Sequence, residues 1–169
     1  DEPLYRRQID VWEPLLAAIE AREKQRLERV SGELHRDQHQ ATMARLREHG
    51  VPHKVLVIGD GPARKWFESN LAGGIFAGFQ TGTDLGRSLA SGDVFFNPSI
   101  TETFGNVTLE AMACGLPVVA AGATGSSSLV EDGLTGRLVP PTGAAAYADA
   151  LAPYCTDPAL RAAHGHAGE

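Results

Sequence analysis

The sequence predicts an α/β fold, a parallel sheet flanked by helices on both faces, with an N-terminal helical segment before it. Three observations carry this. Beyond Gly50, short apolar runs alternate with helical patterns, and those runs are apolar on both faces. All six Phe and seventeen of the nineteen Gly also lie beyond Gly50. Strands of four or five residues that are apolar on both sides and separated by helices fit a parallel sheet covered on two sides, not a set of hairpins. The result is a doubly wound, Rossmann-like layer.

Size and charge limit the function classes. A chain of 169 residues with 43% hydrophobic content can bury the core of one ordinary domain. Its formal net charge of -6 comes without a basic stripe, which argues against a nucleic-acid binder that lives on phosphate contacts. There are two cysteines, Cys114 and Cys155, and no basic, apolar, small-residue order at the N-terminus. No run approaches the ~18 apolar residues of a spanning helix. The expectation is a cytoplasmic setting, with membrane contact at most peripheral, at the inner face.

Residues 1–50 form the first expected segment, a helical arm or hairpin. It holds nine of the fifteen Lys and Arg. Ile9, Trp12, Leu16, Ile19, Leu27, Val30 and Leu34 fall on one helical face, which Glu23, Lys24 and Arg26 interrupt. The mixed charges read as a solvated face. A shorter helix over 41–48 ends at Gly50, a suitable C-cap ahead of Pro52.

Residues 51–169 form the second, Rossmann-like segment. Strands are expected at 55–58, 75–79, 94–97, 117–121 and, weakly, 137–139. Helices are expected at 63–70, 84–90, 107–113, 126–130 and 144–154. In such sheets ligands sit beyond the C-terminal strand ends, so the loops after Ile58, Phe79, Asn97 and Ala121 matter most.

The loop after the first strand reads Gly59-Asp60-Gly61-Pro62. Its glycines permit tight turning and close ligand approach, and Pro62 suits a first helical turn. Arg64 stands where a dinucleotide fingerprint needs its third glycine, and no acidic residue ends the next strand, so NAD binding is disfavoured. The stronger pattern runs from Asn97-Pro98-Ser99 through Glu102 and Phe104-Gly105-Asn106-Val107 to Glu110, then Ala111-Met112-Ala113-Cys114-Gly115-Leu116-Pro117. Seven residues separate Glu102 from Glu110, with Gly105 and Asn106 between them where a helix should start. Backbone N–H groups near Gly105, Asn106 and Val107 suit a diphosphate, and a glycine lets it come close. The two carboxylates would repel phosphate but accept hydrogen bonds from sugar and ribose hydroxyls.

With the upstream Leu-Val-Ile-Gly-Asp-Gly-Pro and the downstream Gly-Leu-Thr-Gly-Arg-Leu-Val-Pro-Pro, this segment resembles the C-terminal, donor-binding domain of retaining GT-B glycosyltransferases, the family 4-like group 1 enzymes. The resemblance covers residues 40 to 165 and implies the C-terminal half of a GT-B fold. It also implies a UDP-, GDP- or ADP-linked sugar as substrate, with retention on transfer. By the same resemblance Glu102 contacts the donor sugar as the catalytic residue, and Glu110 contacts the ribose. Phe104, Gly105, Asn106 and Val107 present backbone to diphosphate and sugar, Phe79 or Gln80 lies beside the base, and Gly59 and Gly61 leave room for the donor. No metal motif or cofactor is expected.

The chain departs from the family in one respect. Residues 1–50 do not resemble the N-terminal acceptor domain, and they lack the glycine-arginine strand and the lysine loop that neutralise the departing diphosphate in the family. Arg64 and Lys65 are partial substitutes. The expectation is weak donor binding and no transfer by this chain alone. Two further readings stand beside it: a non-catalytic or engineered fragment that self-associates through its N-terminal helices, and a GT-B nucleotide-sugar epimerase relative. Of the remaining chemistry-bearing residues, Cys114 reads as a small buried hydrophobe, Asp93 as a structural cap or pair, and His35 with His39 as too few ligands for a metal.

Overall fold

A computed structural model describes residues 33–169 apart from 102–104 and 142. One compact unit runs from His35 to Glu169. Residues 1–32 of the expected arm lie outside the described residues. Its last part, however, belongs to helix α1, Glu33–Glu48. This helix starts earlier than the sequence predicts, and its Met43 and Leu46 enter the main core with only 6% and 2% exposure. The compact unit therefore begins before the expected boundary at Gly50, because apolar residues on α1 have a sheet to cover.

The chain then alternates β1 (Leu56–Ile58), α2 (Arg64–Asn70), β2 (Ile75–Gly78), α3 (Gly82–Ala90), β3 (Phe95–Asn97), α4 (Asn106–Met112), β4 (Val118–Ala121), α5 (Thr124–Ser127), β5 (Gly136–Val139), α6 (Ala144–Thr156) and α7 (Pro158–Gly168). Every strand pair is parallel, as helical crossovers require. The strands and helices expected beyond Gly50 form up to α6, with ends displaced by a few residues. The strands divide into a β1-β2 pair and a β3-β4-β5 group.

Strand β4 lies at the centre, with all four residues buried. Its two faces serve two different packing groups. Val119 and Ala121 join Met43, Leu46, Leu71, Val139, Tyr147, Leu151 and Tyr154, while Val118 and Ala120 join Met112 and Val130. This is the apolar-on-both-faces pattern seen in the sequence, now explained by helices on each side. Gly136 is needed at the β4-β5 contact, because a Cβ there would overlap the Val118 carbonyl.

Helix α7 was not expected from the sequence. Asp157 caps it by accepting from the N–H groups of Ala159 and Leu160 at 2.9 and 3.0 Å, and Pro158 takes the first turn. Tyr154 Oη lies 2.8 Å from His164 Nδ1, and Arg161 donates to the Tyr154 carbonyl at 2.7 Å, so α6 and α7 are tied together.

Candidate functional site

The loops after β1 and β2 are joined. The N–H of Gly59, at φ 132°, donates to the Gly78 carbonyl at 2.8 Å. Gly61 is exposed, and its carbonyl accepts from Arg64 N–H at 3.0 Å as α2 begins. Arg64 reaches back over this loop: Nη1 is 3.5 Å from Asp60, and Nε is 2.8 Å from Glu68. Those carboxylates, Glu68 first, raise its pKa above the ordinary value. The Arg64 charge expected to face a diphosphate is thus already matched by two anions.

At the end of β2, Phe79 is 76% exposed. It borders a cavity of about 460 Å³ together with Gln80, Thr81, Asp84, Arg87 and Ser88. The Gln80 amide is held from within: its Oε1 accepts from Ser88 Oγ, and its Nε2 lies 3.5 Å from the Ala77 carbonyl. Of the two candidate base contacts, Phe79 offers an open ring and Gln80 an amide already engaged. The α3 residues in this cavity were not singled out in the sequence. Their signal was their position, in the first helix after the base-side strand.

After β3, Asn97 Oδ1 accepts from Ser99 N–H at 3.1 Å and turns the chain into the loop. Glu102 and Phe104 lie outside the described residues. Gly105 is buried and left-handed, with φ 81° and ψ 35°, and its carbonyl accepts from Thr108 and Leu109 N–H at 2.9 and 3.0 Å. Asn106 and Val107 are therefore first-turn residues, whose N–H groups have no intrahelical carbonyl to reach. Both are exposed, and Glu110 stands exposed one turn further on. Beneath them Thr108 is wholly buried, and its Oγ1 lacks a partner among the described residues. Ser126, in the helix after β4, is in the same condition. Neither hydroxyl was read from the sequence, since a threonine or serine inside a helix carries no pattern of its own.

The remaining sequence candidates have packing roles. Cys114 is half-buried, with Sγ 3.8 Å from the Gly86 carbonyl. The His39 ring meets Phe67 and Phe96 edge-on at 5.5 and 5.2 Å. Asp93 pairs with Arg161 Nε at 3.2 Å. Among the described residues, no three His, Cys, Asp or Glu side chains gather as a metal site would require, and no helix is long and apolar enough to cross a membrane.

Glycine-bearing loops at the C-terminal ends of parallel strands, each leading into a helix, are the framework of a Rossmann-like nucleotide-binding domain. Residues 35–157 match the family model described as Glycosyl transferases group 1, and the chain belongs to that family. The D-inositol 3-phosphate glycosyltransferase of Kribbella flavida is 54% identical over 70 residues, 41% of this chain and 16% of that enzyme. The Anabaena protein HepE, solved with UDP and glucose, superposes with a TM-score of 0.65 at 27% identity, covering 79% of this chain and 39% of that one. The C-terminal domain of the group 1 protein LpcC from Francisella tularensis gives a TM-score of 0.65 at 26% identity, over 80% of this chain and 76% of that domain. The fold is accordingly that of a GT-B C-terminal domain. The matched stretches amount to 18% and 16% of the first two curated relatives, so the chain spans only a part of such enzymes.

Proposed function

We propose that this chain is the donor-binding domain of a group 1 glycosyltransferase that moves a sugar from a nucleoside diphosphate to an acceptor with retention. The observation that carries the reading is the left-handed hinge at Gly105. It starts α4 with the exposed Asn106 and Val107 in its first turn, where N–H groups have no intrahelical acceptor, and with Glu110 one turn away. Diphosphate oxygens accept from such N–H groups, and a glycine without a Cβ lets them approach. Glu110 accepts from the ribose hydroxyls, and the exposed Phe79 ring offers the base an apolar face. Glu102, by family resemblance, contacts the transferred sugar.

The complex of HepE with UDP and glucose supports this class of ligand. Arg64 is already matched by Asp60 and Glu68, and this supports weak diphosphate binding and no transfer by the chain alone.

Calorimetric titration of the 169-residue chain and its Glu110→Ala variant with UDP, GDP and ADP tests the reading. One nucleotide is expected to bind, with roughly tenfold lower affinity in the variant, as for the loss of a charge-assisted hydrogen bond. Binding of none of the three, or equal binding by both proteins, would remove the donor-site assignment.

A further inference from the structure

At the N-terminal ends of β1 and β2, away from the glycine loops, lies a second cavity of about 400 Å³. Arg47, His53, Lys54, Val55, Gly73 and Ile75 are among its lining residues, and no carboxylate among the described residues lines it. Arg64, Arg87, Arg137 and Arg161 each pair with an acidic side chain, but Arg47 and Lys54 form no ion pair among the described residues. Two cations without an ion pair among the described residues and an imidazole thus share one concave surface on a chain of net charge -6. Like charges held together repel, and a concave wall focuses their field on whatever anion enters.

The local backbone does not offset that field. The last carbonyls of α1 are taken up internally: Arg45, Leu46 and Arg47 accept from His49, Val51 and Gly50 N–H at 3.0, 2.9 and 3.0 Å. The negative end of the helix is therefore capped. His53 Nδ1 lies 2.9 Å from the Val51 carbonyl, so this nitrogen donates to the backbone and the ring is held at the cavity wall.

We propose that this cavity binds a phosphate-bearing group, with Arg47 and Lys54 as its cationic contacts and Val55 and Ile75 against the organic part of the ligand. The group comes from a small phosphorylated molecule or from an anionic lipid headgroup. The site is separate from the nucleotide loops and does not rest on the donor reading.

Nuclear magnetic resonance of the 15N-labelled full chain tests it, with inorganic phosphate as probe. Saturable shifts are expected at the Lys54, Gly73 and Ile75 amides. Affinity should fall at least about tenfold in Arg47→Gln/Lys54→Gln, which removes both charges and leaves polar side chains at the surface. Added sodium chloride should weaken binding by screening. Sedimentation with phosphatidylglycerol vesicles, against phosphatidylcholine controls, separates the sources. Vesicle capture lost in the variant assigns a lipid headgroup, and phosphate binding without capture assigns a small ligand. Neither phosphate shifts nor vesicle preference, or equal behaviour of the variant, overturns the proposal. Because both side chains are at the surface, unchanged shifts elsewhere in the spectrum confirm that the variant is folded.

Discussion

At Gly105 the backbone stands at φ 81°, a region that costs an L-residue roughly 1–2 kcal/mol. Gly105→Ala should therefore lower stability by about that amount in chemical denaturation. It should also weaken nucleotide binding by more than stability alone accounts for, since under the proposed function it places a methyl where the diphosphate would approach. Asp132 shows a different kind of residue effect. Its carboxylate accepts from Leu138 N–H at 2.9 Å and Arg137 Nε at 3.0 Å, and these contacts, the backbone one first, hold its pKa below the ordinary value. A carboxylate depressed by folding stabilises above its unfolded pKa, about 3.9, and that contribution is lost as pH falls through the lower folded value. Wild type should exceed Asp132→Asn in stability at neutral pH, and the two should converge in acid, as read by urea midpoints. The position of Gly105 at a helix start was legible in the sequence. The engagement of Gln80 by Ser88 was not, because the two side chains meet only when α3 folds back on the end of β2.

At the scale of elements, the apolar runs foretold β4 and its neighbours, and β4 is buried throughout while β3 is half-buried and β5 only partly buried. Helix α7 was missed because its apolar content is thin, although Asp157-Pro158 was the local sign of a helix start. Its seat is set by Gly165, where an added Cβ would run into the Gly115 carbonyl. In an isolated helix, Gly→Ala is worth about 1 kcal/mol in favour of alanine. Gly165→Ala in the protein should instead reduce the melting temperature, and an increase would show that α7 does not dock as described. On the neighbouring helix α6, Leu151 is 2% exposed in the main core. Leu151→Ala should cost about 2–5 kcal/mol in the unfolding free energy.

At the scale of the molecule, residues His35 to Glu169 form one layered unit, and the matched stretches cover a fraction of the relatives' length. Incubation of the purified chain with UDP-, GDP- and ADP-linked sugars and candidate acceptors should yield no transferred sugar, while nucleotide binding remains measurable. Detectable transfer would overturn the expectation drawn from the missing basic residues. The sequence by itself determined the α/β class, the order of strands and helices, the glycine loops, and membership in the glycosyltransferase group. The class, the element order and the loops follow from periodicity, turn chemistry and local spacing, which neighbours along the chain dictate, whereas the family rests on the resemblance of the motifs to the group. Only the tertiary structure decided that α1 belongs to the core and that Arg64 spends its charge on Asp60 and Glu68. It also brought Arg47, His53 and Lys54 to one cavity that no carboxylate among the described residues lines. Those outcomes depend on which surfaces and charges meet across the fold, and residue patterns record burial without naming the partner.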